Sequence, residues 1–155
     1  MEIISLNVNN IEYWFEKMQE FVKNVNNKEI EALYKNRQYL MQRFGMGIEM
    51  SFLAVEEEEI VGMLSAFSDG KQSIWSLALV YVCEDKRLQG IGSSLVAKLE
   101  KQLGEKKKQY KLTTQCKKSN KYSNIFYLSK QFEFEGWCRA TDEKDDMYVW
   151  GKIYR

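Results

Sequence analysis

The chain has 155 residues, 45% of them hydrophobic and 29% charged, which fits one soluble globular domain able to bury a core without disulfides or a metal. Lys and Arg total 23 against 22 Asp and Glu, and a net charge of +1 argues against a dedicated nucleic-acid binder. There is no histidine, which excludes a histidine general base, a histidine-based triad and histidine metal ligation.

In chain order, EIISLNV alternates and predicts a strand. Ile11, Trp14, Phe15, Met18, Phe21, Val22 and Val25 recur at helical spacing, with Asn9 or Asn10 as the cap. A second helix is expected over 28–44, with Ile30, Leu33, Tyr34, Leu40, Met41 and Phe44 on its apolar face and Gly45 and Gly47 ending it. MSFLAVE and IVGMLSAFS flank an acidic turn and read as a hairpin. Asp69-Gly70 marks the next turn, and SIWSLALVYV, apolar on both faces, predicts a central strand. After RLQGIG, a helix carries Ile91, Leu95, Val96, Leu99 and Leu103 on one stripe. KLTTQC reads as a strand, 121–130 as a short helix, and FEFEGWCR and MYVWGKIY as closing strands. The order β-α-α-β-β-β-α-β-α-β-β defines an α/β domain with one parallel βαβ crossover centred on the glycines.

Cys83, Cys116 and Cys138 are widely spaced and form no CxxC pair, so no zinc site is expected. Their odd number and the lack of a secretory signal fit reduced thiols in a cytoplasm. No apolar run reaches the ~18 residues of a membrane span. Neither a proline-rich linker nor an internal repeat divides residues 1–155, and the EEEE and KKK runs read as solvated turns.

The glycines of RLQGIGSSLV carry the chemistry. The first four N–H groups of a helix have no partner inside it, and the helix dipole adds positive charge there. Gly90 and Gly92 allow unusual dihedrals and close approach, Arg87 adds a forked donor, and Ser93 and Ser94 add hydroxyls. Such a junction suits a pyrophosphate, though a bare strand-to-helix turn would look the same. The GxxxxGK[ST] phosphate loop is absent. The dinucleotide pattern fails because Leu95 holds its third glycine position, CEDKRLQ separates strand from glycines, and no acid ends the next strand, where Thr113, Thr114 and Gln115 stand.

The element order together with VYVCEDKRLQGIGSSLV resembles the GCN5-related N-acetyltransferase (GNAT) superfamily, whose [QR]-x-x-G-x-[GA] signature is matched by Arg87 to Gly92. Asn120, Tyr127 and Phe132 repeat the family's downstream spacing. Gln131 departs from it, standing where the family has a helix-ending glycine; a non-glycine fits there if the turn avoids positive φ.

The resemblance implies a GNAT-like fold, a mixed and mostly antiparallel sheet whose central parallel pair, SIWSLALVYV and KLTTQC, splays apart to hold acetyl-CoA. The pyrophosphate would meet Arg87, Leu88, Gln89, Gly90, Ile91, Gly92 and Ser93. The pantetheine arm would pair with the strand edge at Val80, Tyr81 and Val82. Asn120 would hydrogen-bond the cofactor, the alternative being a helix cap, and Tyr127 would protonate the departing thiolate, the alternative being a packed aromatic. In some relatives a glutamate base stands five residues before the asparagine; here that residue is Gln115, which cannot take a proton. Glu49 and Glu84 border the expected cleft but read as solvated. The implied reaction moves an acetyl group directly to a primary amine of a small molecule or of a peptide or protein, without a metal. The implied partners are acetyl-CoA and the amine acceptor, not nucleic acid or a membrane, and a homodimer is allowed. Two alternatives are a non-catalytic CoA-binding module and a toxin-like aminoacyl-tRNA acetyltransferase, whose expected basic face is not evident.

Overall fold

A computed structural model of the chain describes residues 1–139 and 145–155. Its elements are β1 (Glu2–Ser5), α1 (Ile11–Lys23), α2 (Lys28–Leu33), α3 (Arg37–Gly45), β2 (Glu49–Glu56), β3 (Glu59–Ser68), β4 (Ile74–Val82), a 3-10 turn (Glu84–Lys86), α4 (Ile91–Lys106), β5 (Tyr110–Lys117), α5 (Lys121–Ser129), β6 (Glu133–Cys138) and β7 (Met147–Tyr154). The strands form one seven-stranded sheet in the order β1-β2-β3-β4-β5-β7-β6. Among the described residues only β4 and β5 run parallel; every other pair is antiparallel. This is the α/β, GNAT-like fold expected from the sequence, with β4 fourth of the seven strands.

The helix expected over 28–44 is divided in two. Tyr34 and Leu40 are both fully buried, yet six residues place them about 120° apart on one continuous helix. A break at 34–36 lets both turn inward. Asn36 makes the restart: its backbone is extended (φ −116°, ψ 112°) and its side chain accepts the Tyr39 N–H. The acidic hairpin turn forms as expected, with Glu57 and Glu58 both at positive φ (48° and 66°), as a two-residue type I′ turn requires.

Two apolar layers cover the sheet. One joins α4 and α5 to it, and Ile91, Leu95, Val96, Leu99 and Leu103, the stripe read from the sequence, are all buried there. The other joins α1, α2 and α3 to the opposite face through Met18, Phe21, Tyr34 and Leu40. β4 serves both layers because of a bulge. Leu77 pairs with Ala66 and Leu79 with Ser65, which leaves Ala78 as an extra residue. Before the bulge the odd residues Trp75 and Leu77 face α4; after it Val80 and Val82 do, and Leu79 and Tyr81 face α1. Among the described residues no helix is long and apolar enough to cross a membrane.

Candidate active site

The parallel pairing of β4 with β5 is short. It runs through Ile74–Lys111, Trp75–Leu112 and Ser76–Thr113 and then stops, although both strands continue. A wedge-shaped gap therefore opens beyond Ser76. The Cys83 N–H donates to the Val61 carbonyl at 3.0 Å, which sets the phase of the β3–β4 ladder. Alternation along that ladder turns the main-chain groups of Tyr81 toward Met63 and those of Val80 and Val82 toward the gap. Of these, the Val82 carbonyl already accepts the Arg87 Nε at 3.1 Å. The Val80 N–H and C=O are thus polar groups that the β4 edge offers to the gap beyond the bulge.

At the mouth of the gap lies the 88–93 bend. Gly90 caps α4 with φ +81°, and a Cβ there would meet nothing within 4 Å. Leu88 also holds a positive φ, and its side chain is 99% exposed. After the Arg87 N–H, which bonds to the Glu84 carbonyl, the next main-chain N–H with an acceptor among the described residues is that of Ser94, to the Gly90 carbonyl at 2.9 Å. Six successive amides, Leu88 to Ser93, are left without such an acceptor at the positive end of a 16-residue helix. The side chains make way for them. Ile91 is buried in the core, and Gln89 Nε2 bonds to the Asp85 carbonyl at 3.3 Å. Arg87 lies back over the Tyr81 ring at 5.5 Å and, 3.8 Å away, pairs with Glu84. Gly92 packs beside Phe126, where an added Cβ would lie 3.4 Å from the ring edge.

Tyr127 closes the floor of the wedge, buried at 5% exposure between the rings of Phe126 and Phe132, whose centroids lie at 5.2 and 5.1 Å. Burial pushes its phenol well above the usual tyrosine range, and the nearby Cys116 adds to this. The phenol therefore holds its proton at neutral pH. Thr114 is itself buried and donates to the Leu77 carbonyl at 3.1 Å. Asn120 caps α5, its Oδ1 accepting the Ser123 N–H at 3.1 Å. The turn after α5 does not avoid positive φ: Gln131 itself adopts φ +65°.

Of the two carboxylates considered as bases, Glu84 is exposed as expected, with its side chain 84% accessible. Glu49 is not solvated. Its side chain is fully buried against α2 and α3, where Oε2 takes the Arg43 Nε at 2.5 Å and Oε1 accepts from Tyr34 at 3.0 Å and Ser51 at 2.7 Å. An ion pair outside the sequence reading lies farther along the sheet, where Lys111 on β5 meets Glu135 on β6 at 2.7 Å across β7. Its sequence signal was Gly151, the one small residue in a strand otherwise built of large ones.

Comparison with known proteins defines the class. The family model described as the acetyltransferase (GNAT) family matches residues 11–134, and the chain belongs to that family. No curated protein matches the chain. Among solved structures, an acetyltransferase of the GNAT family from Desulfovibrio desulfuricans superposes with TM-score 0.80 at 13% identity, covering 97% of this chain and 98% of the other. Ribosomal-protein-alanine N-acetyltransferase from Brucella melitensis does so with TM-score 0.75 at 23% identity, over 99% of both chains. An aminoglycoside 6′-N-acetyltransferase solved with coenzyme A gives TM-score 0.73 at 17% identity, covering 99% and 97%. At these identities the likeness is one of fold.

Proposed function

We propose that the protein is an acetyl-CoA-dependent N-acetyltransferase that moves the acetyl group directly to a primary amine. The observation that carries this reading is the wedge between β4 and β5, with an unpaired strand edge at Val80 inside and the open amides of Leu88 to Ser93 at its mouth. The amides suit a pyrophosphate and the edge suits an amide-bearing pantetheine arm. A structural neighbour that holds coenzyme A supports the same cosubstrate.

On this reading the amine nitrogen attacks the thioester carbonyl, a C–N bond forms and the C–S bond breaks. The Val80 N–H stabilises the oxyanion, and Tyr127 gives its proton to the departing thiolate. A phenol near pKa 10 is a weak acid for a thiolate near 8.5, and burial weakens it further, so its contribution is modest, on the order of 10²-fold. Most of the rate comes from holding both reactants together. With Gln115 in the position of the family's base and Glu49 locked to Arg43, the amine loses its proton through water. Acceptors of low amine pKa are accordingly favoured.

The test is an amine panel, from small amines to peptide N-termini and lysine side chains, read as release of CoA thiol. Release with at least one acceptor, cut about 10²-fold by Tyr127→Phe with CoA affinity intact, is the expected outcome. Tight CoA binding without release on any acceptor would leave the Gln115 departure as the mark of a binding module. Inhibition of translation that Tyr127→Phe abolishes would point instead to aminoacyl-tRNA as the acceptor.

A further inference from the structure

The end of the parallel ladder has a specific cause. The Lys111 N–H donates to the Ser73 carbonyl at 2.8 Å, which fixes the ladder's phase. A parallel pair repeats every two residues, so the next bonds are Thr113 N–H to the Trp75 carbonyl and then Gln115 N–H to the Leu77 carbonyl. The pairing reaches Ser76–Thr113 and goes no further. The Leu77 carbonyl is instead taken by the Thr114 hydroxyl at 3.1 Å.

We infer that Thr114 is the residue that keeps the wedge open. Its hydroxyl occupies the carbonyl that would otherwise zip β5 onto β4 by one more rung. The Gln115 N–H is thereby left facing the gap. The bulge at Ala78 bends β4 away, and Thr114 removes the acceptor that would pull β5 after it. Thr114 is buried, so a Leu77 carbonyl that loses its hydroxyl has no bulk water to replace it. Thr114 is a positioning residue: it acts through the strand spacing. The inference rests on CoA occupying this wedge only for its functional consequence; the strand geometry stands on its own.

The experiment compares Thr114→Val, which keeps the shape and loses the hydroxyl, with Thr114→Ser, which keeps the hydroxyl. Thr114→Ala serves as a second hydroxyl-free variant should the valine disturb packing. Two readouts are taken on the whole chain: amide hydrogen exchange at Gln115 by NMR, and CoA affinity by calorimetry. In the wild type the Gln115 amide should exchange fast for a residue in a strand. In the valine and alanine variants it should slow by roughly five- to tenfold as it takes the freed Leu77 carbonyl, and CoA affinity should fall about tenfold. The serine variant should match the wild type in both. Unchanged Gln115 exchange in folded hydroxyl-free variants would overturn the inference. Slowed exchange with CoA bound equally well would uphold the strand role of Thr114 and place the cosubstrate elsewhere, against the proposed function alone.

Discussion

The Glu135 carboxylate lies in the space that a side chain on Gly151 would fill. Glu135 sits at the bulge of β6, between the paired residues Phe134 and Gly136, and this turns it across β7 toward Lys111 on β5. The missing Cβ at 151 is what lets an ion pair span three strands. Gly151 pairs with Thr113, which pairs with Ser76 at the foot of the wedge, so the carboxylate lies about 10 Å from β4.

Gly151→Ala should displace Glu135 and break this pair at little cost in stability. A partly exposed pair contributes about 0–1 kcal/mol, and replacing a strand glycine offsets a similar amount. Thermal unfolding should shift by only a few degrees, with CoA affinity unchanged and any effect confined to KM for the amine. A large loss of CoA affinity would show that the 151 region belongs to the cosubstrate site.

Gly90→Glu should abolish CoA binding while the fold survives. The positive φ makes any side chain at this position cost about 1–2 kcal/mol, but the Cβ would point into open space. Its carboxylate would stand among the amides meant for phosphate, and affinity should fall more than about 100-fold. Gly104→Glu, on the same helix and also unobstructed, is the charge control and should leave binding intact.

Arg43→Met should destabilise the protein by about 3–5 kcal/mol, because it leaves the Glu49 carboxylate buried without its counter-charge. Glu49→Gln added to it should recover much of the loss. A double-mutant cycle from urea midpoints measures this coupling, and additive effects would show that the pair is not a unit.

Stability should fall as pH rises above about 8.5. Burial pushes the Cys116 thiol up to about 11 and, with the Glu100 charge second, the Tyr110 phenol up to about 12; Tyr34, Tyr127 and Tyr154 are raised further, burial again leading. An unfolded chain releases these protons near pH 8.5 for the thiol and near 10 for the phenols. Between those values and the folded ones the unfolded state binds fewer protons, so each unit of pH favours unfolding. Urea midpoints from pH 7 to 11 should hold steady at first and then decline, and Cys116→Ala should lessen the earliest part of the decline, to which the Cys83 thiol, also raised by burial, contributes the rest.

Gln131→Gly should raise stability by roughly 1 kcal/mol, since Gln131 holds φ +65° without glycine's freedom. In a domain of this size that is a rise of about 2–4 °C in Tm.

Periodic and local signals were legible in the sequence. The stripe of α4, the two-sided apolar run of β4 and the glycines at the start of α4 each report a local requirement, and each element formed where its residues called for it. Signals that depend on a distant partner were not. Tyr34 reads as one more apolar position until the buried Glu49 across the layer shows why the helix must break before Leu40. Glu49 itself sits in sequence like a solvated strand-end residue, and only Arg43, six residues away on another element, makes its burial tolerable. Thr114 was read only as the lack of an acid, because the role of its hydroxyl depends on where β4 ends its pairing.

The extra residue in β4 makes the strand behave like a reading frame. Ala78 is the one residue whose loss keeps the frame, since Trp75, Leu77, Val80 and Val82 would still alternate with Leu79 and Tyr81; a residue added or lost elsewhere in β4, with the bulge kept, would carry the residues beyond it to the wrong layer and exchange the contents of two packed interiors at once. Changes of side chain along β4 can be absorbed one at a time, but a change of length away from the bulge cannot. Insertions and deletions in this lineage should therefore accumulate in the hairpin turns and, within 74–82, be confined to position 78.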